Sequence, residues 1–176
     1  MSGHNKWSKI KHKKEAEDKK KSKLFSVLSR QITLEAKRVF GNKESPSLRR
    51  AIEKARAHNM PNDVIDRAIH KATDKDAGTL EHLLLEAYGP GGVAIMIEAI
   101  TDNRNRTVAE IRHLLSEFGG SLSTPGSAAW AFVHEGDSWK PQNNIPLDEK
   151  EKEMLVQLEE VLSEHDDVDG VYTNGA

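Results

Sequence analysis

The 176 residues include no cysteine, which excludes disulfide frameworks, thiolate-bound zinc, iron–sulfur clusters and cysteine nucleophiles. Aromatic residues are scarce at 5%, and only 36% of the chain is apolar. So little apolar material supports small cores under a large polar surface. It argues against one large doubly wound enzyme domain with a deep cofactor cleft. No apolar run approaches the roughly 20 residues that span a bilayer. The basic residues of 1–14 are followed by neither an apolar segment nor a small-residue cleavage site, so no secretory signal is expected. These features predict a cytoplasmic protein of one or two domains with no membrane partner.

Charge, by contrast, is plentiful, and a formal net charge of −2 conceals its segregation. Residues 1–73 carry 19 basic and 8 acidic side chains, a net +11, whereas residues 74–176 carry 7 and 20, a net −13. Such asymmetry points to a polyanionic partner for the basic part. Residues 1–23 hold Lys6, Lys9, Lys11, Lys13, Lys14, Lys19, Lys20, Lys21 and Lys23 against Glu15, Glu17 and Asp18. Lysines at this density bind a polyanion by releasing its condensed counterions, without reading sequence. Trp7 lies among them, where it either stacks on a base or tethers the arm to the helices that follow. Arg49, Arg50, Lys54, Arg56, Arg67 and Lys71 carry the basic character further than a solvated tail requires.

The chain divides by its patterning into a basic arm (1–14), a helical domain (15–77) and an α+β domain (78–176). The arm lacks helical periodicity and is expected to be extended. From about Glu15, Leu24, Leu28 and Ile32 recur every four residues, and Gly41-Asn42 ends that helix. Pro46 opens a second helix through Leu48, Ala51, Ile52 and Ala55, and Asn59-Met60-Pro61 separates it from a third containing Val64, Ile65, Ala68, Ile69 and Ala72. Beyond Gly78, Leu80–Tyr88 and Val93–Thr101 flank Gly89-Pro90-Gly91-Gly92, which predicts a β-hairpin. A helix through Val108, Ile111, Leu115 and Phe118 follows, then a short strand over 128–133 and a loop over 135–146. An acidic helix over Leu147–Ser163 and a last strand over Val168–Thr173 complete a two-layer α+β domain with a mixed sheet, helices covering one face.

Gly89 to Ala94 formally fits G-x-G-x-x-A, but that fingerprint must open a helix, and Val93–Ile97 reads as a buried strand; a hairpin turn is predicted. Asp102-Asn103-Arg104-Asn105-Arg106-Thr107 stands where a strand gives way to a helix. Asp102, Asn103 or Asn105 can cap that helix, and Arg104 and Arg106 beside its positive end can hold a phosphate. The eight histidines form no metal-binding pair, and Glu164-His165-Asp166-Asp167 reads as a solvated helix terminus, so no metal or cofactor is expected. No G-x-S-x-G elbow or comparable nucleophile signature occurs, so neither an enzyme nor a small-molecule substrate is expected.

Four ordered blocks resemble the YebC/PmpR family, which includes the mitochondrial translational activator of cytochrome oxidase. Ser2-Gly3-His4-Asn5-Lys6-Trp7-Ser8-Lys9-Ile10-Lys11-His12-Lys13-Lys14 is similar to its opening, and Ala51–Ile69 with Asn59-Met60-Pro61 to its second block. Tyr88–Ala94 with Thr101–Thr107 is similar to the third, and Gly119–Phe132 with Thr124-Pro125-Gly126-Ser127 to the fourth; Asp167–Asn174 resembles the closing segment. The resemblance implies a DNA-binding transcriptional regulator contacting promoter DNA, or, alternatively, a translation factor that contacts the ribosome and ribosomal RNA. It also implies a further α/β domain between the strand ending near Val133 and the acidic helix, a place taken here by a loop of about a dozen residues. The expected nucleic-acid contacts are Lys6, Trp7, Lys9, Lys11, His12, Lys13, Lys14, Lys19, Lys20, Arg49, Arg50, Arg56, Arg104 and Arg106.

Overall fold

A computed structural model describes residues 3–73, 79–136 and 138–176, with the backbone alone for 3–13 and 16. The chain forms two compact units, Met1–Ala77 and Gly78–Ala176. The first contains α1 (Gly3–Arg38), α2 (Pro46–Ala57) and α3 (Asn62–Thr73). The expectation of an extended arm is corrected here, because the backbone is helical from Gly3 onward. Neither Pro nor Gly occurs between His4 and Arg38, and Lys, Glu, Gln and Leu are good helix formers. A helix nucleated on its packed half extends outward without a second nucleation cost. Missing apolar periodicity in that stretch therefore means a helix with no side to bury, not the absence of a helix.

Leu28, Ile32 and Ala36 of α1 pack with Leu48, Ile52 and Ala55 of α2 and with Ile65, Ala68, Ile69 and Ala72 of α3. Burial of each large aliphatic side chain contributes about 1.5–3 kcal/mol. The Thr33 hydroxyl, also buried, lies 3.0 Å from the Ala68 carbonyl and joins α1 to α3. Two of the helices end alike. Phe40 N–H donates to Lys37 O and Gly41 N–H to Ala36 O (3.4 and 2.8 Å); Asn59 N–H donates to Arg56 O and Met60 N–H to Ala55 O (2.9 and 3.0 Å). This paired closure is the Schellman motif, with a left-handed residue at the turn, Phe40 (then Gly41) after α1 and Asn59 after α2. Met60 then drops into the core beside Ala55, which explains why Asn59-Met60-Pro61 punctuates the sequence.

In the second unit β1 (Glu81–Tyr88) and β2 (Ala94–Thr101) form the predicted hairpin, in register from Glu81 opposite Thr101 to Tyr88 opposite Ala94. A 3-10 turn over Pro90–Gly92 joins them, so the glycine run is a turn and opens no long helix. Next come α4 (Arg104–Glu117), β3 (Ser121–Leu122), β4 (Phe132–Glu135), β5 (Ser138–Pro141), α5 (Glu149–Glu164) and β6 (Val168–Thr173). The main sheet has the order β3-β1-β2-β6, and β4 pairs with β5 in a separate ribbon. Pairings between these strands are antiparallel, and parallel pairing enters through the isolated bridge between Ile145 and Gly175. Apolar patterning sets which residues face inward, not strand direction.

Two further expectations are corrected. The strand expected over 128–133 begins only at Phe132, because Ala129–Ala131 form a 3-10 turn. Part of the expected loop over 135–146 is strand β5, whose Trp139 lies opposite His134 on β4, and their rings meet edge-on at 4.8 Å. Four residues are too few to display a period.

Strand β2 is buried on both sides. Ile95 and Ile97 face Ile111 and Leu115 of α4 and Leu155, Leu158 and Leu162 of α5, while Ala94 and Met96 face Ala128, Ala131 and Phe132. Alternate residues thus reach opposite layers, and the strand reads as one apolar run. Its acidic interruption, Glu98, accepts from Trp139 Nε1 at 3.1 Å and Tyr172 OH at 3.4 Å. Helix α5 begins at a capping box in which Asp148 and Glu151 bond each other's backbone N–H. Gly119 (φ 73) and Gly120 end α4 in a third Schellman closure, on Ser116 O and Leu115 O. A Cβ on Gly120 would stand 2.8 Å from the Tyr88 carbonyl, so the helix can pass the sheet only with glycine there.

Glu86 on β1 organises the segment between β3 and β4. Its carboxylate, 7% exposed, accepts from the N–H groups of Gly126 (2.6 Å), Ala128 (2.6 Å) and Ala129 (2.8 Å). Burial pushes its pKa up, but the three backbone donors outweigh burial and hold it below the ordinary value. A depressed pKa contributes stability above the unfolded-state value of about 4.3, and that stability is lost as pH falls through the folded value. Glu86→Ala strands three donors and should cost on the order of 3 kcal/mol in denaturant unfolding near neutral pH. The difference from the parent chain should shrink as the pH drops below the carboxylate range. A constant difference down to strongly acid pH would refute the assignment.

Candidate nucleic-acid interface

Helix α1 presents the densest positive charge. Lys14, Lys19 and Lys20 are exposed on it. Lys6, Trp7, Lys9, Lys11, His12 and Lys13 stand on its helical backbone, and their side chains lie outside the described residues. Helical periodicity puts positions 6, 9, 13 and 20 along one side. At 1.5 Å per residue, 6–23 extends about 26 Å, a linear array of charge commensurate with a run of phosphates.

In α2 and α3 the basic residues fall into two groups. Arg50 and Lys54, one turn apart on α2, are exposed and have no ion-pair partner among the described residues. Arg49 donates to the Glu44 carbonyl at 3.1 Å and lies 3.3 Å from its carboxylate. Arg56 Nε donates to Asn62 Oδ1 at 3.2 Å, and Arg67 pairs with Asp63 at 3.1 Å. Lys43 Nζ donates to Asp66 Oδ1 at 2.8 Å, and this bond holds the Asp66 carboxyl below its usual pKa. Such exposed pairs are weak, and a phosphate competes with them readily. Arg50 and Lys54 need no such exchange.

Arg104 and Arg106 occupy the other unit and differ from each other. Asn103 is the cap that α4 uses: its side chain accepts from Arg106 N–H at 3.1 Å. Arg104 lies 3.4 Å from Glu81 and is exposed. The Arg106 guanidinium reaches Asp167 at 2.7 Å, Asp102 at 3.1 Å and Glu110 at 3.9 Å, and its bond to Asp167 raises its pKa. Asp167 also accepts from the buried Thr107 hydroxyl at 2.6 Å, and Thr107 in turn bonds Thr101 Oγ1 at 2.8 Å. The two arginines therefore do not form one fork aimed at an anion.

This geometry corrects the reading of Glu164–Asp167 as a solvated terminus, since Asp167 is 8% exposed. The partner that buries it, Arg106, lies 61 positions earlier, and nothing local in the sequence announces the contact. Glu110, His165 and Asp167 bring one ligand atom each within 4.8 Å of the others. Arg106 and Thr107 already occupy Asp167 Oδ2, and the guanidinium repels a cation, so the group reads as an ion-pair network. Among the described residues no helix is long and apolar enough to cross a membrane.

Two family models match the chain in succession. Residues 5–75 match the TACO1/YebC protein N-terminal domain, and residues 80–137 match the TACO1/YebC second and third domain. A "Probable transcriptional regulatory protein" of Halothermothrix orenii is 50% identical over 90% of this chain and 63% of its own. A protein of the same name from Chloroherpeton thalassium is 44% identical over 99% of this chain and 71% of its own. A third, from Thermotoga petrophila, is 49% identical, and the chain spans 58% of its length. The crystal structure of a conserved hypothetical protein from Aquifex aeolicus superposes with a TM-score of 0.80 at 29% identity, covering 88% of this chain and 90% of that one. By sequence and by fold, the chain belongs to the TACO1/YebC family.

Proposed function

We propose that this chain is a nucleic-acid-binding regulatory protein that acts on transcription by contacting promoter DNA, in a binding rather than a catalytic role. The observation that carries the reading is the helical unit itself. A net charge of +11 is gathered in residues 1–73, along a helix that continues past its packed half and on the exposed side of α2. The lysines of 6–20 with Arg50 and Lys54 form the principal phosphate-binding set, and Arg49 and Arg56 adjoin it. Relatives named as probable transcriptional regulatory proteins support the choice of transcription. Because the chain spans 63% and 58% of two of them, their whole activity is carried over only as a proposal. The ribbon of β4 and β5 occupies the place where the family resemblance puts a further domain, and we infer that binding here rests on the helical unit.

Salt tests the reading. Log affinity for duplex DNA should fall linearly with log salt, and combined replacement of Lys9, Lys11, Lys13 and Lys14 by Gln should flatten that line. Binding indifferent to salt would refute it. Promoter fragments recovered after crosslinking in cells support transcriptional control, whereas recovery of ribosomal RNA in their place would transfer the same surface to translation.

Arg50→Gln and Lys54→Gln should each reduce the slope by about 1. Arg106→Gln should leave the slope unchanged and lower the thermal midpoint, because it removes the cation paired with the buried Asp167 carboxylate. A reduced slope with an unchanged midpoint would assign Arg106 to phosphate instead.

A further inference from the structure

Helices α1, α2 and α4 close with the same pair of backbone hydrogen bonds, but the first left-handed residue differs: Phe40 (φ 52, followed by Gly41 at φ 74), Asn59 (φ 59) and Gly119 (φ 73). Glycine has no Cβ to clash in that conformation, and asparagine tolerates it through local hydrogen bonding. A phenylalanine there is strained. Folding recovers nothing from the ring, which is 93% exposed, the largest exposure of any large apolar side chain in the described residues. The closure needs no side chain at this position, since both of its hydrogen bonds use backbone groups. Strain together with full exposure of an aromatic ring marks a residue retained for what it touches outside the fold.

Its surroundings indicate the partner. Phe40 sits in the turn of the +11 segment, between Lys37 and Arg38 on one side and Lys43 on the other. Lys37 has no ion-pair partner among the described residues, while Arg38 and Lys43 each stand 2.8 Å from a carboxylate, Glu35 and Asp66, in exposed pairs. An apolar pocket on a protein would gain little from the net +11 of residues 1–73; a polyanion gains from it directly. The ring has no hydrogen-bonding group with which to read a base edge, but it offers a flat face. An unpaired base offers its complement, whereas bases inside a duplex are already stacked.

We propose that Phe40 is a base-stacking residue: its ring takes an unpaired base of a nucleic acid while the neighbouring cations hold the adjoining phosphates. The proposal rests on the nucleic-acid reading above, and the two fail differently. In the full chain, Phe40→Gly should raise the thermal midpoint by relieving the strain. The same variant should weaken binding to a mixed-sequence single-stranded oligonucleotide by about 10-fold without changing the salt slope, and should change duplex affinity much less. Phe40→Trp should keep the affinity, with an emission that the oligonucleotide quenches beyond the response of the parent chain. Parental single-strand affinity in Phe40→Gly, or no added quenching in Phe40→Trp, overturns stacking while the salt-dependent binding stands. Loss of a protein partner from Phe40→Gly with oligonucleotide affinity intact assigns the ring to a protein pocket and also overturns it. Absence of salt-dependent binding to any nucleic acid removes both readings.

Discussion

A helix can end inside a small fold only where its last carbonyls find donors, and this chain meets that constraint three times with one device. Each Schellman closure turns the backbone through a left-handed residue, followed after α1 by a second at Gly41, and releases it in a defined direction. After α2 the direction sends Met60 into the core and Pro61 to the start of α3. After α4 it carries Gly120 against the carbonyl of Tyr88 and lets β3 pair with the end of β1. With so few apolar residues, neither core could absorb a looser turn. The short connections let about ten buried side chains per cluster suffice in each unit.

Economy of apolar material also explains how polar groups are used in the interior. Glu86, Asp167, Thr101 and Thr107 are buried and serve as hubs for donors that would otherwise be stranded. Through backbone N–H groups Glu86 fixes a segment whose one regular element is the 3-10 turn over Ala129–Ala131. Asp167 joins the start of α4 to the entrance of β6 through Arg106 and Thr107. Buried carboxylates with two or three donors are stable where a bare one would not be, because each lost contact with water is replaced.

Much of this was legible in the sequence wherever a period runs long enough to repeat. The stripe of Leu28, Ile32 and Ala36, the hairpin about Gly89–Gly92 and the acidic helix α5 are of that kind. The signals that failed were short or absent. Strand β3 has two residues and β5 four, lengths at which alternation cannot be told from chance. The start of α1 has no apolar side, so periodicity was silent although propensity favoured a helix. The roles of Glu86 and Arg106 depend on partners 40 and 61 positions away, and such contacts leave no mark in local composition. At the candidate interface, residue type identified the cations but could not sort them, because commitment to a carboxylate is a property of the fold.

That sorting bears on how the surface works. A guanidinium among three carboxylates, as in Arg106, is outnumbered by negative charge and presents no net positive field to a phosphate. An exposed pair such as Lys43 with Asp66 exchanges partners at small cost, since water screens it already. Arg50 and Lys54 present charge with nothing to exchange and add to the positive field of the helical unit. Such a field attracts any polyanion and distinguishes none. Discrimination must come from groups with shape as well as charge, and on this unit the exposed ring of Phe40, raised on a backbone that glycine would hold more easily, has that character.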